Sequence, residues 1–275
     1  MTRTAPPDRP LIVAATAAAG DAVALLATIG AQPLTVAAVQ PVAGEDPDGT
    51  LQCLSQLLAA AGYPDVPLLE PVAGTVDPDL PSAIDCDGAT PAATALATFN
   101  ETVAGPSAPV EVLSLASPTW LGHVDAAAAA RVTFGEHPGD GGQAALAELA
   151  EATAVDAVTF KETGRYAGGT ERLAARIAGD RYLSQVAGQA LTRQQRHDQA
   201  RDAGTHLRGL IVLLALMNPK AFTWWPWRTV RDDGSIAGVK EEAGDEDTAR
   251  IAIKSRLSDE LVSAFTVPPL ARVPR

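Results

Sequence analysis

The chain has 275 residues, 47% of them hydrophobic, and a formal net charge of −12. That length and apolar share can bury one sizeable core, while the acidic balance excludes a nucleic-acid backbone and an anionic membrane surface as partners. The two cysteines, Cys53 and Cys86, fit neither a metal-ligand spacing nor a disulfide framework; they read as unpaired thiols and point to the cytoplasm.

In chain order, Met1 to Pro10 is rich in Pro and Thr and reads as a disordered N-terminus. Leu11 to Ala15 is an apolar run of strand length, broken by Gly20 and Asp21. Ala22 to Ile29 then has a helical face, and Gly30 is suited to ending that helix. Leu34 to Val39 is a second apolar strand. Two buried strands joined by a helix make a βαβ unit and hence a parallel sheet. Ligands of such sheets sit at the carboxyl ends of the strands, which directs attention to the turn Thr16 to Asp21. Ala17-Ala18-Ala19, with Arg3 and Arg9 upstream, resembles the end of a targeting segment. Asp21, however, would lie centrally in a spanning helix of about 20 residues, so the stretch is read as mature structure.

Pro41 to Gly49 is a polar loop, Leu51 to Ala61 an amphipathic helix and Val66 to Leu69 a short strand. Pro71 to Ala89 is irregular and carries Asp77, Asp79, Asp85 and Asp87. Thr90 to Thr102 reads as helix, Val110 to Leu115 as strand, Thr119 to Arg131 as Ala-rich helix and Val132 to Phe134 as strand. Gly135 to Gly142 is Gly-rich without the spacing of a phosphate cradle. Gln143 to Ala152 is helical and Val155 to Phe160 another strand. Thr170 to Ala203 contains long helical segments, with Arg172, Arg176, Arg193, Arg196 and Arg201 on a solvated face. Leu207 to Met217 is an apolar helix that must be buried.

Beyond Pro219 the pattern turns to strands: Arg228 to Arg231, a turn at Asp232-Asp233-Gly234, Ile236 to Lys240 and Ala249 to Lys254. A last helix starts at the N-cap Ser258, with Leu257 and Val262 as its staple. Neither a repeat nor a linker interrupts this order. The expected architecture is one α/β domain over 11–275, with a mainly parallel central sheet flanked by helices and a small C-terminal strand region.

The order of elements resembles the inosine–uridine-preferring nucleoside hydrolases nearly end to end. Leu11 to Leu26 is similar to the family's first strand, aspartate-rich loop and helix. GYPDVPL within Ala59 to Val72 resembles its helix end and short strand. Asp87-Gly88 falls where the family has a His-Gly-x-Asp-Gly loop. Val110 to Leu121, VEVLSLASPTWL, resembles its strand and Gly-Pro-Leu-Thr-Asn-Leu turn, and Leu216 to Phe222, LMNPKAF, its Leu-Asp-Pro-x-x-Phe helix end.

The resemblance implies a calcium-dependent N-ribohydrolase, yet the residues that would carry it are largely replaced. On the family's Asp-x-Asp-Pro-Gly-x-Asp-Asp loop, the four aspartates become Ala14, Thr16, Gly20 and Asp21. Thr119 keeps the position of a carbonyl ligand. A ribose-facing Asn becomes Glu45, which with Asp87 is the implied substrate contact. The His-Asp pair opening the late helix becomes Arg208-Gly209, removing an acid and a ligand. Calcium takes six to eight oxygens, several of them anionic, so Asp21 and Thr119 are an insufficient set. The expectation is a protein that has lost calcium-dependent hydrolysis, uses no cofactor and serves binding or assembly. The alternative is an active hydrolase on a nucleoside or other N-glycoside with a rearranged site, and calcium only in that case.

Other residues offer few substitutes. Asp85 and Asp87 read as solvated loop aspartates, with a replacement metal site as the sharper alternative. His123 reads as a packed or surface histidine of the Ala-rich helix, His197 and His206 have no paired carboxylate at metal spacing, and His137 lies in a loop. Glu136 and Glu45 form an acid/base pair only if their loops converge. Trp224, Trp225 and Trp227, bracketing Pro226, cannot all pack on one helix from an extended segment. At least one of the three is expected in a subunit or partner contact, with Arg228 flanking it.

Overall fold

The computed structural model describes residues 9–31, 34–86, 96–105, 109–136, 143–159, 185–201, 208–230, 236–238, 249–257 and 261. Its strands are β1 (Leu11–Ala15), β2 (Val36–Ala43), β3 (Val72–Ala73), β4 (Glu111–Ser114), β5 (Arg131–Gly135), β6 (Ala154–Val158), β7 (Phe222–Val230), β8 (Ile236–Gly238) and β9 (Ala249–Ser255). They form one sheet in the order β3-β2-β1-β4-β5-β6-β9-β7-β8. Every pairing from β3 through β9 is parallel, and β7 runs antiparallel to both β9 and β8. The helices are α1 (Ala19–Gly30), α2 (Pro47–Ala60), α3 (Phe99–Val103), α4 (Gln143–Ala152), α5 (Gln185–Ala200) and α6 (Arg208–Met217).

Period-two alternation sorts the core into two layers. Leu11, Val13 and Ala15 of β1 face the same side as Val39 and Leu113, and α1, α2, α5 and α6 cover that side. Ile12 and Ala14 face the other side with Val112, Val132 and Phe134, under Phe99, Leu146 and Leu149 of α3 and α4. A sheet buried on both faces requires strands that are apolar throughout rather than alternating, and all five residues of β1 are buried. Helix α6 is buried along nearly its whole length. Gly209 in its first turn lets it approach α1, since a Cβ there would stand 2.8 Å from the Cβ of Ala24.

Several expectations change. The second strand begins two residues later than Leu34 and runs on to Ala43. Val66 to Leu69 contributes only a single bridge, Val39 to Leu68, and the edge strand falls at Val72–Ala73. The Ala-rich stretch from Thr119 is not one helix. It forms two short 3₁₀ turns, Pro118–His123 and Ala126–Ala128, because local turn contacts and burial of Trp120 outweigh alanine's helix propensity.

The cysteines are also corrected: Cys53 and Cys86 are joined in a disulfide across a sequence separation of 33, their Cα atoms 5.3 Å apart. Two cysteines make no legible framework in sequence; tertiary packing of the irregular stretch on α2 brings them together. The expectations for Met1–Asp8, His137, His206, the turn at 232–234 and the Ser258 cap lie outside the described residues.

Two of the three tryptophans find places inside the chain. β7 is an interior strand between β9 and β8, so its alternating side chains have two faces on which to hide. Trp224 enters the layer of α1 and α6, where its Nε1 donates to the carbonyl of Pro219 at 2.8 Å and the Arg250 guanidinium lies 4.9 Å from its ring centroid. Trp227 packs in the opposite layer, edge-on to Phe134 at 6.1 Å. Both rings are buried within the chain, and Trp225 is half-buried. Arg228 lies on β7; its side chain is outside the described residues.

Candidate functional site

The chain leaves β1 on one side of the sheet to form α1 and β2, while β4 pairs on the other side. That reversal of strand order is where open α/β sheets hold ligands, at the carboxyl ends of the strands. A cavity of about 330 Å³ lies there. Thr16 and Asp21 line it from the turn after β1, and Leu115, Ala116 and Ser117 from the segment after β4. Gln194, His197, Asp198 and Arg201 come from α5 and the residue after it, and Arg208 and Gly209 from the start of α6. Thr75, Val76, Asp77 and Leu80 close the remaining side.

Asp21 sits in the first turn of α1. Thr16 organises the turn: its hydroxyl accepts from the Ala18 N–H at 3.1 Å and donates to Asp21 Oδ2 at 2.7 Å, and its own N–H reaches the same oxygen at 3.1 Å. Those two donors favour the ionised carboxylate, but burial outweighs them and lifts the Asp21 pKa to about 6. A carboxyl that burial shifts toward neutrality in a cleft is a candidate functional group.

The opposite wall is polar and buried. Gln194 donates through Nε2 to both oxygens of Asp198, at 3.0 and 3.1 Å. Gln194 Oε1 is buried without a hydrogen-bond partner, a cost of about 1–3 kcal/mol for a group of this kind. Sequence reasoning missed Asp198, His197 and Gln194. The signal was present: Ala187, Leu191, Gln194 and Asp198 follow a helical stripe, so the buried face of α5 turns polar where it meets the cavity. Arg193 and Arg201, on the solvated face expected of them, hold exposed ion pairs. Arg193 grips Asp85 with both terminal nitrogens, at 2.6 and 2.9 Å, and Arg201 meets Asp79 at 2.8 Å. The Arg193 guanidinium holds the Asp85 carboxyl below its ordinary pKa.

The remaining expected residues divide. Asp21 and Arg208 line the cavity. Thr119 lies just beyond it, with its hydroxyl accepting the Thr75 N–H at 2.9 Å. Glu45 is exposed before α2. Glu136 is buried after β5, and two strands separate β2 from β5. Three inter-strand spacings amount to roughly 14 Å, so the Glu45–Glu136 pair does not form. His197 lines the cavity together with Asp21 and Asp198. His123 is exposed and apart from it. Asp85 faces Arg193, and Asp87 lies outside the described residues.

No protein-family model matches the sequence, and a search of curated protein sequences finds no match. Solved structures do match in fold. An inosine–guanosine nucleoside hydrolase superposes with TM-score 0.69 at 11% identity, over 96% of this chain and 99% of that one. A purine-preferring ribonucleoside hydrolase from Gardnerella vaginalis does so with TM-score 0.64 at 14% identity, over 96% and 98%. The type III effector protein XopQ, solved with adenosine diphosphate ribose, matches with TM-score 0.62 at 14% identity, over 97% and 95%. At such identities the likeness is one of fold.

Proposed function

We propose that this chain, built on the nucleoside-hydrolase fold, is a binding protein. It holds a nucleoside-sized polar ligand in the cavity at the β1–β4 switch point and does not hydrolyse it by a calcium-dependent route. The observation that carries the reading is the donor set of the turn after β1. Of its four positions aligned with family aspartates only Asp21 is acidic, and both Thr16 donors are already spent on its Oδ2. Among the described residues no group of three His, Cys, Asp or Glu is placed to hold a metal ion. At Gly209, an aspartate would drive its Cβ to 2.8 Å from Ala24. This set does not fit a hard dication that wants six to eight oxygens, so no step is derived through calcium.

The cavity supports a ligand role on its own terms. Its volume, about 330 Å³, falls in the range of small-molecule sites. Carboxylates and guanidinium groups converge on it beside the apolar Leu80 and Leu115. The neighbours in fold are named for nucleosides or were solved with adenosine diphosphate ribose, which makes inosine, adenosine and adenosine diphosphate ribose the first ligands to test. One observation favours the alternative of an active N-glycosidase. A carboxyl with a pKa of about 6 could give a proton to a leaving group near neutral pH.

An assembly role remains part of the proposal, through surfaces other than Trp224 and Trp227; Trp225 is the ring left for a subunit contact. We place the whole of 11–275 in one domain. No helix among the described residues is long and apolar enough to cross a membrane. The disulfide shifts the expected compartment from the cytoplasm to an oxidising one, since cytosolic thiol buffers keep such pairs reduced.

The test is calorimetric titration of the three ligands together with chromatography of the mixture, in calcium and in chelator. Saturable binding with the ligand recovered intact in both conditions supports the reading. Release of free base that stops in chelator overturns it, and release indifferent to chelator selects the alternative.

A further inference from the structure

The cavity's outer wall, residues 74–86, is a strap with little structure of its own. Its one β contact among the described residues is an antiparallel bridge between Ala18 and Ser82, where the Ala19 N–H reaches the Pro81 carbonyl at 2.8 Å and the Ala83 N–H the Ala17 carbonyl at 2.9 Å. Its first residue, Gly74, is fixed: its N–H donates to the Ala43 carbonyl at 2.9 Å, and it packs so closely that a Cβ would stand 2.5 Å from Val42. Its middle is tied to α5 and its following residue by the ion pairs Asp79–Arg201 and Asp85–Arg193. Both are solvent-exposed, and such pairs are screened by water and salt.

The far end is held differently. Cys86 is bonded to Cys53, and Cys53 directly precedes Leu54, which with Leu57 and Leu58 anchors α2 in the core. The strap therefore runs from one rigid post at Gly74 to another at Cys53; between them it is held by the Thr75 N–H on Thr119 Oγ1, the bridge at Ser82, the buried Ala83 with Ile84 beside it, and the two screened ion pairs. Both cysteines are half-buried rather than sealed in the core, and accessible disulfides are the ones thiol exchange acts upon.

We propose that the Cys53–Cys86 disulfide is a redox latch on the cavity: oxidised, it holds the strap 74–86 in place as the outer wall, and reduced, it frees the strap and releases the ligand. The ligand half of this rests on the cavity being the binding seat. The reductant is a dithiol. One of its thiolates attacks a Sγ of the pair and expels the other as thiolate; its second thiolate then displaces the protein sulfur. Two electrons and two protons pass to the protein, leaving two cysteine thiols, and the reductant leaves as a cyclic disulfide.

The experiment is amide hydrogen exchange on the full chain, oxidised and in dithiothreitol, and on the double variant Cys53→Ser/Cys86→Ser. Calorimetry with inosine and with adenosine diphosphate ribose runs in parallel. Reduction is expected to speed exchange at Thr75, Ala19 and Ala83 by about tenfold or more and to leave them exchanging far faster than Leu113 and Val39 in the sheet, whose exchange follows global unfolding, as local opening requires. Whichever probe binds the oxidised chain should bind the reduced chain more weakly by a similar factor. Unchanged strap exchange overturns the latch, and so do strap amides that, once reduced, exchange no faster than those of the sheet. If neither probe binds the oxidised chain but strap exchange still responds, the ligand reading fails and the latch stands. Should the double variant fail to fold, the reductant series on the natural chain decides alone.

Discussion

Replacing Asp21 with Asn should stabilise this protein, and by an amount that depends on pH. Burial raises the Asp21 pKa from its ordinary 3.8 to about 6. The folded state therefore holds a proton over a window in which the unfolded chain has released it. With more protons bound in the folded state, stability falls as pH rises from about 4 through about 6. A rise of that size corresponds to about 3 kcal/mol lost by pH 7.5, of which only a few tenths are lost already at pH 4. Asn removes the charge and keeps an acceptor for Thr16, at the expense of a charge-assisted hydrogen bond. The rise to about 6 already contains the Thr16 hydrogen bonds, so the net gain is about 2–3 kcal/mol at pH 7.5 and about half a kcal/mol at pH 4. Urea unfolding of both proteins at the two pH values measures it. A difference that does not grow with pH, or a less stable Asn variant at pH 7.5, would refute the reasoning that burial governs this carboxyl.

The Cys53→Ser/Cys86→Ser pair should lower stability by roughly 3–4 kcal/mol through loop-closure entropy, which scanning calorimetry would read as a fall in Tm of about 5–7 °C; a change under about 1 °C would contradict it. Gly209→Ala should cost about 1–3 kcal/mol by overpacking against Ala24, partly offset by up to ~1 kcal/mol of helix propensity. Adding Ala24→Gly in denaturant unfolding should recover most of the loss, and a stabilised single variant would show that α6 and α1 are not in close contact. Trp224→Ala should cost about 3–5 kcal/mol by emptying core volume and leaving the Pro219 carbonyl without its donor. Sedimentation of the folded fraction should show the assembly state unchanged; a lower assembly state at full stability would restore the interface reading of that ring.

The parts of the fold legible in sequence are those written in local periodicity. The apolar runs at Leu11–Ala15 and near Val36 are continuous because both faces of those strands are buried. The wholly apolar Leu210–Met217 could only be an interior helix. Local rules misled where tertiary contacts decide. The alanines after Pro118 promise a helix, yet Trp120 must reach inward, where its Nε1 donates to Ser114 Oγ at 2.9 Å. Three indoles in nine residues look too many for one core, until the segment becomes an interior strand with two faces to share them.

The site shows the same division. Asp21 stood out because it follows the first strand directly. Asp198 lies 177 positions beyond it (198 − 21), and nothing local in QQRHDQA says that this stretch of α5 faces a cavity. The arginines of α5 looked like ordinary solvated charges because their partners, Asp79 and Asp85, sit more than a hundred residues away. The disulfide was hidden by the same distance: a pair of cysteines carries no pattern until the strap that bears Cys86 is laid against α2.

Whether the turn around Asp21 serves calcium chemistry decides between a binding protein and a calcium-dependent hydrolase. Calorimetric titration of calcium into protein stripped with a chelator tests this most directly, followed by the same titration into Asp21→Asn. No saturable heat is expected up to about millimolar calcium in either protein, since a single carboxylate lies far below the anionic ligand count of a tight site. Saturable binding at micromolar calcium that disappears in Asp21→Asn would contradict it.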